Sequence, residues 1–315
     1  MYQFVDPPEI RKDKRLIWAA TRSVWENMGY VLKKRGGKSK SHWNLFVRLL
    51  KIFAFLLKIT GQYKKGYGNA KTIHNTEIEL KFPNLPAAFN GFRILHLSDL
   101  HIDSLPGFTS LIIDKIKDLQ FDICLLTGDY RIDGSGSFSH MLKPIRILSK
   151  YIQAPFGTFA VLGNHDTYLM AQYGKESGME LLVNESVEII KDGQKILITG
   201  TDDPFNFYTE SALLCLETKG YDFKIAMVHT SELARAASEY KYDLYLCGHT
   251  HGGQICIKNG VPLISHQFEG KKFNHGLWKL GNMTGYTSRG AGVSGMPVRF
   301  NCPAEVTIIK LQTED

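Results

Sequence analysis

Arg93-Ile94-Leu95-His96-Leu97-Ser98-Asp99-Leu100-His101 is a strand-like run that empties into a polar turn carrying a carboxylate and an imidazole two residues apart. The same construction recurs along the chain. Asp122 to Thr127 runs into Gly128-Asp129, and Thr158 to Leu162 into Gly163-Asn164-His165-Asp166. Lys224 to Val228 runs into His229, and Leu244 to Cys247 into Gly248-His249-Thr250-His251. Lys195 to Thr199 is a further strand candidate. Helical patterns lie between several of these runs; in one, Phe108, Leu111, Ile112, Ile116 and Leu119 recur at three- and four-residue spacing. Short strands alternating with helices predict an α/β layered fold whose ligands sit at the carboxyl ends of strands. After His251 the pattern turns mostly β, with Gly253 to Ile257, Gly285 to Ser288 and Ala304 to Leu311 as candidates, which suggests a second sheet.

The residues after the strands carry the chemistry. On extended backbone, positions i and i+2 point the same way, so Asp99 with His101, and His249 with His251, can each project two ligands into one cavity. Imidazole nitrogen, carboxylate oxygen and the Asn164 carbonyl suit manganese, iron or zinc better than calcium or copper(I). Asp99, His101, Asp129, Asn164, His229, His249 and His251 are too many ligands for one ion. Two ions ~3.5–4 Å apart would repel, and a shared carboxylate offsets this. Asp129 is the candidate bridge, with Gly128 allowing close backbone approach. The other strand-associated or isolated histidines, His96, His266 and His275, read as structural.

The order D-x-H, GD, GNH, H and GHxH resembles the calcineurin-like metallophosphoesterase family over roughly residues 91 to 311. The resemblance implies a four-layer α/β sandwich, two mixed β-sheets flanked by helices. It implies one ion on Asp99, His101, Asp129 and His251, and another on Asp129, Asn164, His229 and His249. His165 would be the catalytic histidine, oriented by Asp166, and a hydroxide bridging the ions would attack phosphorus in line. Tyr130-Arg131 departs from the small, apolar or acidic residues that many relatives carry after the bridging aspartate. Arg131 is a candidate phosphate contact, weighed against a surface ion pair. Gly252-Gly253-Gln254 and Ser288-Arg289-Gly290-Ala291-Gly292 look like a membrane-associated branch of the family, of the YkuE and YaeI type, which includes a UDP-2,3-diacylglucosamine pyrophosphatase of lipid A synthesis. Arg289 is a second candidate phosphate contact, weighed against a role in loop structure.

The 315-residue chain carries a net +7, unevenly placed: residues 1 to 66 hold 15 Lys or Arg against 4 Asp or Glu, a local +11 that leaves −4 for the remainder. The basic part contains an amphipathic pattern from Trp43 to Thr60, with Arg48, Lys51 and Lys58 on one stripe and apolar residues around them. Its longest uncharged run, Ile52 to Leu57, is far short of the ~20 apolar residues of a spanning helix. Residues 44–60 are therefore expected to lie on an anionic membrane surface, with packing on the catalytic domain as the other reading. Residues 1–75 read as a basic helical extension and 76–315 as the metallophosphoesterase domain, with Lys33 to Ser41 as a mobile connector. No cleaved secretory signal is visible near Met1, so the expected location is cytoplasmic, peripheral on the inner face of the cytoplasmic membrane. Five cysteines with no C-x-x-C pair suggest neither a disulfide framework nor a thiolate zinc site.

The expected function is metal-dependent hydrolysis of a phosphodiester or pyrophosphate bond, with two divalent ions, Mn2+ foremost and Fe or Zn possible, on a phosphate ester such as lipid-linked UDP-2,3-diacylglucosamine. A general phosphodiesterase or phosphatase on soluble nucleotides is the alternative. A nuclease is disfavoured, because the basic residues are not interleaved with stacking aromatics on a catalytic groove. A binding module that has lost catalysis would lack ligands, and none is missing.

Overall fold

The computed structural model describes residues 1–35, 39–132, 137–258, 260–263 and 273–314, with side chains described for these except at 29–47, 172, 173 and 175. His266 and part of the Lys33 to Ser41 connector lie outside the described residues. The strands are β1 (Tyr2–Phe4), β2 (Ile73–Phe82), β3 (Arg93–Leu97), β4 (Ile123–Leu126), β5 (Thr158–Ala160), β6 (Glu180–Leu181) and β7 (Glu185–Lys191). They continue with β8 (Gln194–Gly200), β9 (Lys224–Met227), β10 (Leu244–Cys247), β11 (Gly276–Leu280), β12 (Met283–Thr287) and β13 (Ala304–Thr313). Longer helices are α1 (Pro8–Arg35), α2 (Ser39–Ile59), α3 (Gln62–Ala70), α4 (Phe108–Ile116) and α5 (Ser139–Ser149).

Two mixed sheets form, in the orders β1-β7-β8-β9-β10-β12-β11 and β2-β13-β3-β4-β5-β6. The period-2 alternation of each strand divides its side chains between two cores. Ile94, Ile123 and Leu125 of one sheet meet Ile198, Ile225, Met227, Leu244 and Leu246 of the other in the layer between the sheets. Their sequence neighbours Leu95, Leu97, Cys124 and Leu126 face outward, under Phe108, Ile112 and Ile116 of α4 and Met141, Ile145 and Leu148 of α5. On the far side, Ala226, Val228, Tyr245 and Cys247 pack against Ala212, Ala234 and Ala237. Helix, sheet, sheet and helix give four layers. Strands buried on both faces explain why these runs read as continuous apolar stretches.

Strands β3, β4 and β5 are mutually parallel, as are β9 and β10. Each sheet therefore gathers the carboxyl ends of its parallel strands at one edge of the sandwich. All five cysteines are free, and burial pushes the Cys247 thiol up to about 12, which suits a small inert hydrophobe.

Three expectations are corrected. Gly253 to Ile257 is not a strand: Gly252, Gly253 and Gln254 all have positive φ, turning the chain, and Ile255 and Cys256 form only isolated bridges. The boundary at residue 75 falls inside β2, which pairs along its whole length with β13. Residues 1–35 are not a separate extension either. β1 pairs antiparallel with β7, Arg15 donates to both carboxylate oxygens of Glu185 at 2.8 Å, and Trp18 is buried in the core. The local positive charge had drawn attention to this segment's surface; a three-residue edge strand and a few buried positions on a charged helix leave little periodic signal.

No helix among the described residues is long and apolar enough to cross a membrane. In α2, Leu49, Ile52, Phe55, Leu56 and Ile59 remain between 48% and 63% exposed beside exposed Arg48, Lys51 and Lys58. Packing on the catalytic domain does not cover this stripe.

Removing residues 1–35 is expected to lower stability rather than leave it unchanged. Trp18→Ala alone should cost about 3–5 kcal/mol, read from denaturant unfolding. A cost below about 0.5 kcal/mol, typical of surface substitutions, would restore the view of a separable extension.

Candidate metal centre

Five loops at the carboxyl ends of β3, β4, β5, β9 and β10 converge on one cleft. They are stitched together by backbone before any side chain is considered. Asp99 N donates to Gly128 O at 2.9 Å, His101 N to Asp129 O at 3.1 Å and Gly248 N to His229 O at 2.9 Å. The approach needs glycine. A Cβ on Gly128, whose φ is +89°, would stand 2.5 Å from Gly163 N, and one on Gly248 would stand 1.9 Å from Ser98 Oγ.

The side chains do not converge through strand alternation, as the i, i+2 argument expected. Asp99, His101, Asp129, His249 and His251 all lie beyond the strand ends with φ between +36° and +71°. Left-handed backbone at non-glycine residues is strained and persists only where the surroundings over-determine it. Here these turns aim the side chains into the cleft.

The structure brings all seven candidate ligands together. Asp99, His101 and His251 form one group and Asp129, His229 and His249 another, with the ligand atoms of each group within 4.8 Å of one another. His101 Nε2 and His251 Nε2 lie 3.1 Å apart. Asp129 Oδ2 stands 3.3 Å from His229 Nε2 and 3.8 Å from His101 Nε2, so it faces both groups. Asn164 Oδ1 is 3.1 Å from His229 Nε2 and 2.8 Å from His249 Nδ1. Two imidazoles are oriented from behind: His101 Nδ1 donates to Arg131 O and His229 Nδ1 to Thr127 O, each at 2.7 Å. This is the outer support usual for histidines that ligate metal. Nitrogen and oxygen donors aimed at one another across a buried cleft fit a pair of borderline divalent cations.

Electrostatics agree with a site built for positive charge. Burial lifts the Asp99 carboxyl to about 6, with His229 pulling down and Asp129 pushing up. Burial likewise drops His101 to about 4, against the pull of Asp129. At Asp129 burial is outweighed by His229, His165 and His101, which hold the carboxyl well below its ordinary range. Against the same burial, Asp129, Asp99 and Asp203 hold His229 well above the usual imidazole value.

His165 borders the cleft, its ring 5.3 Å from that of His101, and its Nδ1 donates to Ile132 O. Asp166 does not touch that ring. Its carboxylate accepts from Gly163 N at 2.7 Å, Asp129 N at 2.8 Å and Tyr130 N at 3.0 Å, tying the Asp129 and Asn164 loops to each other. The expected orientation of His165 by Asp166 is corrected accordingly. Asp166 closes the Gly163–Asp166 turn, and its carboxylate is taken up by the backbone amides nearest to it.

Arg131 is fully buried rather than on the surface, donating to His165 O at 3.0 Å. Arg289 is paired with Glu305, Nε to Oε2 at 2.8 Å. Both guanidinium groups are engaged by protein acceptors. Sequence reading missed Arg299, a buried cation whose donors reach Arg289 O and Gly292 O at 2.7 Å and Gly290 O at 3.1 Å. It also missed Phe205, whose ring lies 4.5 Å from that of His249. Neither stands in a recognisable motif.

A four-layer sandwich with mixed N and O ligands at its strand ends defines a metallophosphoesterase. Residues 92–253 match the family of calcineurin-like phosphoesterases, and the chain belongs to that family. It is 32% identical to the metallophosphoesterase YkuE of Bacillus subtilis, over 79% of this chain and 90% of that protein. It is 32% identical to the phosphodiesterase YaeI of Escherichia coli, over 70% and 82% respectively. YkoQ of Bacillus subtilis, a metallophosphoesterase, is 26% identical over 84% of this chain and 98% of its own length.

Asp129→Asn should lower bound manganese from two ions per chain to one or none, measured by elemental analysis after dialysis, because the carboxylate facing both groups loses its charge. Unchanged stoichiometry would remove Asp129 from the bridging position.

Proposed function

We propose that this chain hydrolyses a phosphodiester or pyrophosphate bond of a lipid-linked substrate at a membrane surface, with UDP-2,3-diacylglucosamine as the sharpest candidate. The observation that carries the reading is the pairing of a convergent metal site with the exposed apolar and basic stripe of α2. In this reading Asp99, His101, His251 and Asp129 hold one divalent cation and Asp129, Asn164, His229 and His249 a second, manganese foremost. When bound, the ions offset charge on the phosphoryl oxygens and make hydroxide available near neutral pH.

The chain's own groups do the rest. His165 has its Nδ1 proton fixed on a backbone carbonyl, which leaves Nε2 to carry a proton toward the leaving oxygen. Asp166 keeps the Asp129 and Asn164 loops in register by accepting hydrogen bonds from three backbone amides. Arg131 and Arg289 hold the walls of the site through Nε, to His165 O and Glu305 Oε2, and stay the candidate phosphate contacts in this reading. A mainly apolar cleft of about 440 Å³ is lined by Ile17, Trp18, Trp25, Phe207 and Leu214 among others, and Phe207 belongs to the same short helix, Pro204–Phe207, whose Phe205 lies against His249. It offers room for the apolar part of a substrate. A peripheral place on the inner face of the cytoplasmic membrane follows from such a substrate.

Deleting the N-terminal residues would not isolate the role of α2, because it also removes β1 and α1. Single substitutions do. Phe55→Glu should weaken co-sedimentation with vesicles containing anionic phospholipid at least tenfold while leaving hydrolysis of a soluble aryl phosphodiester unchanged; equal vesicle binding would end the surface assignment. Manganese-loaded protein should hydrolyse UDP-2,3-diacylglucosamine at least a hundredfold faster than the aryl diester, and Asn164→Ala should abolish both. Turnover of the aryl diester alone would keep the hydrolase and discard the lipid-linked substrate.

A further inference from the structure

Trp18, Arg22 and Glu26 are four residues apart on α1, so they share one helical face. That face is turned to the loops of the metal centre. Arg22, 2% exposed, is among the largest fully enclosed side chains of the molecule. Its Nη2 donates to Asp166 O at 3.0 Å and Gly163 O at 3.4 Å, its Nη1 to Asp202 Oδ1, and its Nε to Glu26 Oε1 at 3.0 Å. The Phe207 ring covers the guanidinium carbon at 3.4 Å. Trp18 Nε1 donates to the other oxygen of Asp202 at 2.7 Å, and Glu26 accepts from Tyr168 N at 2.8 Å.

Two of these contacts end on the segment that carries Asn164, and a third reaches the segment whose short helix lies against His249. Gly163 and Asp166 bracket Asn164. Asp202 Oδ1 also accepts from Asp203 N at 2.9 Å, and Asp203 caps the helix whose Phe205 lies against His249. From inside the cleft, the Asp166 carboxylate draws the amide side of this turn together; from outside, Arg22 holds its carbonyl side. We propose that Arg22 is a positioning residue of the metal centre, fixing the Gly163–Asp166 turn so that Asn164 presents its carbonyl to the second cation. Charge alone does not meet this geometry. The planar fork reaches two carboxylates and two carbonyls at once, whereas a lysine ammonium at the end of a flexible stem is a point charge.

The inference rests on the two-cation reading, and its test reads metal binding rather than turnover. Metal-stripped full-length wild type, Arg22→Lys, Arg22→Gln and Arg15→Gln would each be titrated calorimetrically with manganese. Wild type is expected to bind two ions. Arg22→Lys and Arg22→Gln should keep the first affinity and weaken the second by about tenfold to a hundredfold, the usual effect of losing outer-shell support. Arg15→Gln, which breaks an anchor of the same helix to Glu185, should lower the melting temperature and leave both affinities alone. In an Asn164→Ala background, Arg22→Lys should cost no further second-site affinity. Two wild-type affinities in Arg22→Lys, or equal losses from Arg15→Gln, would reduce Arg22 to a helix anchor and overturn the proposal. A wild-type protein that binds no cation would remove the two-cation reading and this inference with it.

Discussion

Burying Asp99 and Asp129 side by side is the constraint around which this molecule is arranged. Both are essentially without solvent, burial raises the cost of ionising each, and Asp129 adds to that cost at Asp99. The fold answers with imidazoles and with directed amides: His249 N donates to both oxygens of Asp99 at 3.0 Å, and Ser98 Oγ donates to Oδ2 at 2.7 Å. Histidines surround the remaining oxygens. Such a cluster favours positive charge at its centre, and its donors match what a pair of divalent cations requires.

Holding that cluster demands rigidity that strands alone do not give. The ligand residues leave their strands through left-handed turns, and glycines at 128 and 248 let neighbouring loops touch. Outside the ligands stand three enclosed arginines, Arg22, Arg131 and Arg299, each directing N–H groups at backbone carbonyls of the ligand loops. A buried guanidinium is costly to desolvate, and hydrogen bonds to several carbonyls offset that cost while fixing the loops in place. Enclosed arginines thus frame the site from behind its ligands, while exposed Arg48, Lys51 and Lys58 present a basic stripe on α2.

The strands β3, β4, β9 and β10 were legible in the sequence because they are buried on both faces and end in polar turns, but their division between two sheets was not. Leu244 to Cys247 is the same in pattern and in structure. Edge and amphipathic strands were not legible. β2 alternates apolar with charged residues, and β1 has three residues with partners 183 to 187 positions away. The ligand residues could be read from type and order, but not the turns that aim them, since a positive φ at aspartate or histidine leaves no mark in composition. The role of Asp166 was hidden for a related reason: adjacency to His165 in sequence suggests a side-chain pair, whereas three amides, two from the Asp129 loop and one from its own turn, take the carboxylate. Arg22 carried a faint signal in the four-residue spacing of Trp18, Arg22 and Glu26; Arg299 carried none.

In the proposed reading two cations share the cleft with Asp129 between them. Anomalous diffraction from crystals of the manganese-loaded protein tests it directly. The account predicts two peaks ~3.5–4 Å apart, one beside Asp99, His101 and His251 and the other beside Asn164, His229 and His249. A single peak, or none, in a crystal with all five loops ordered would contradict it.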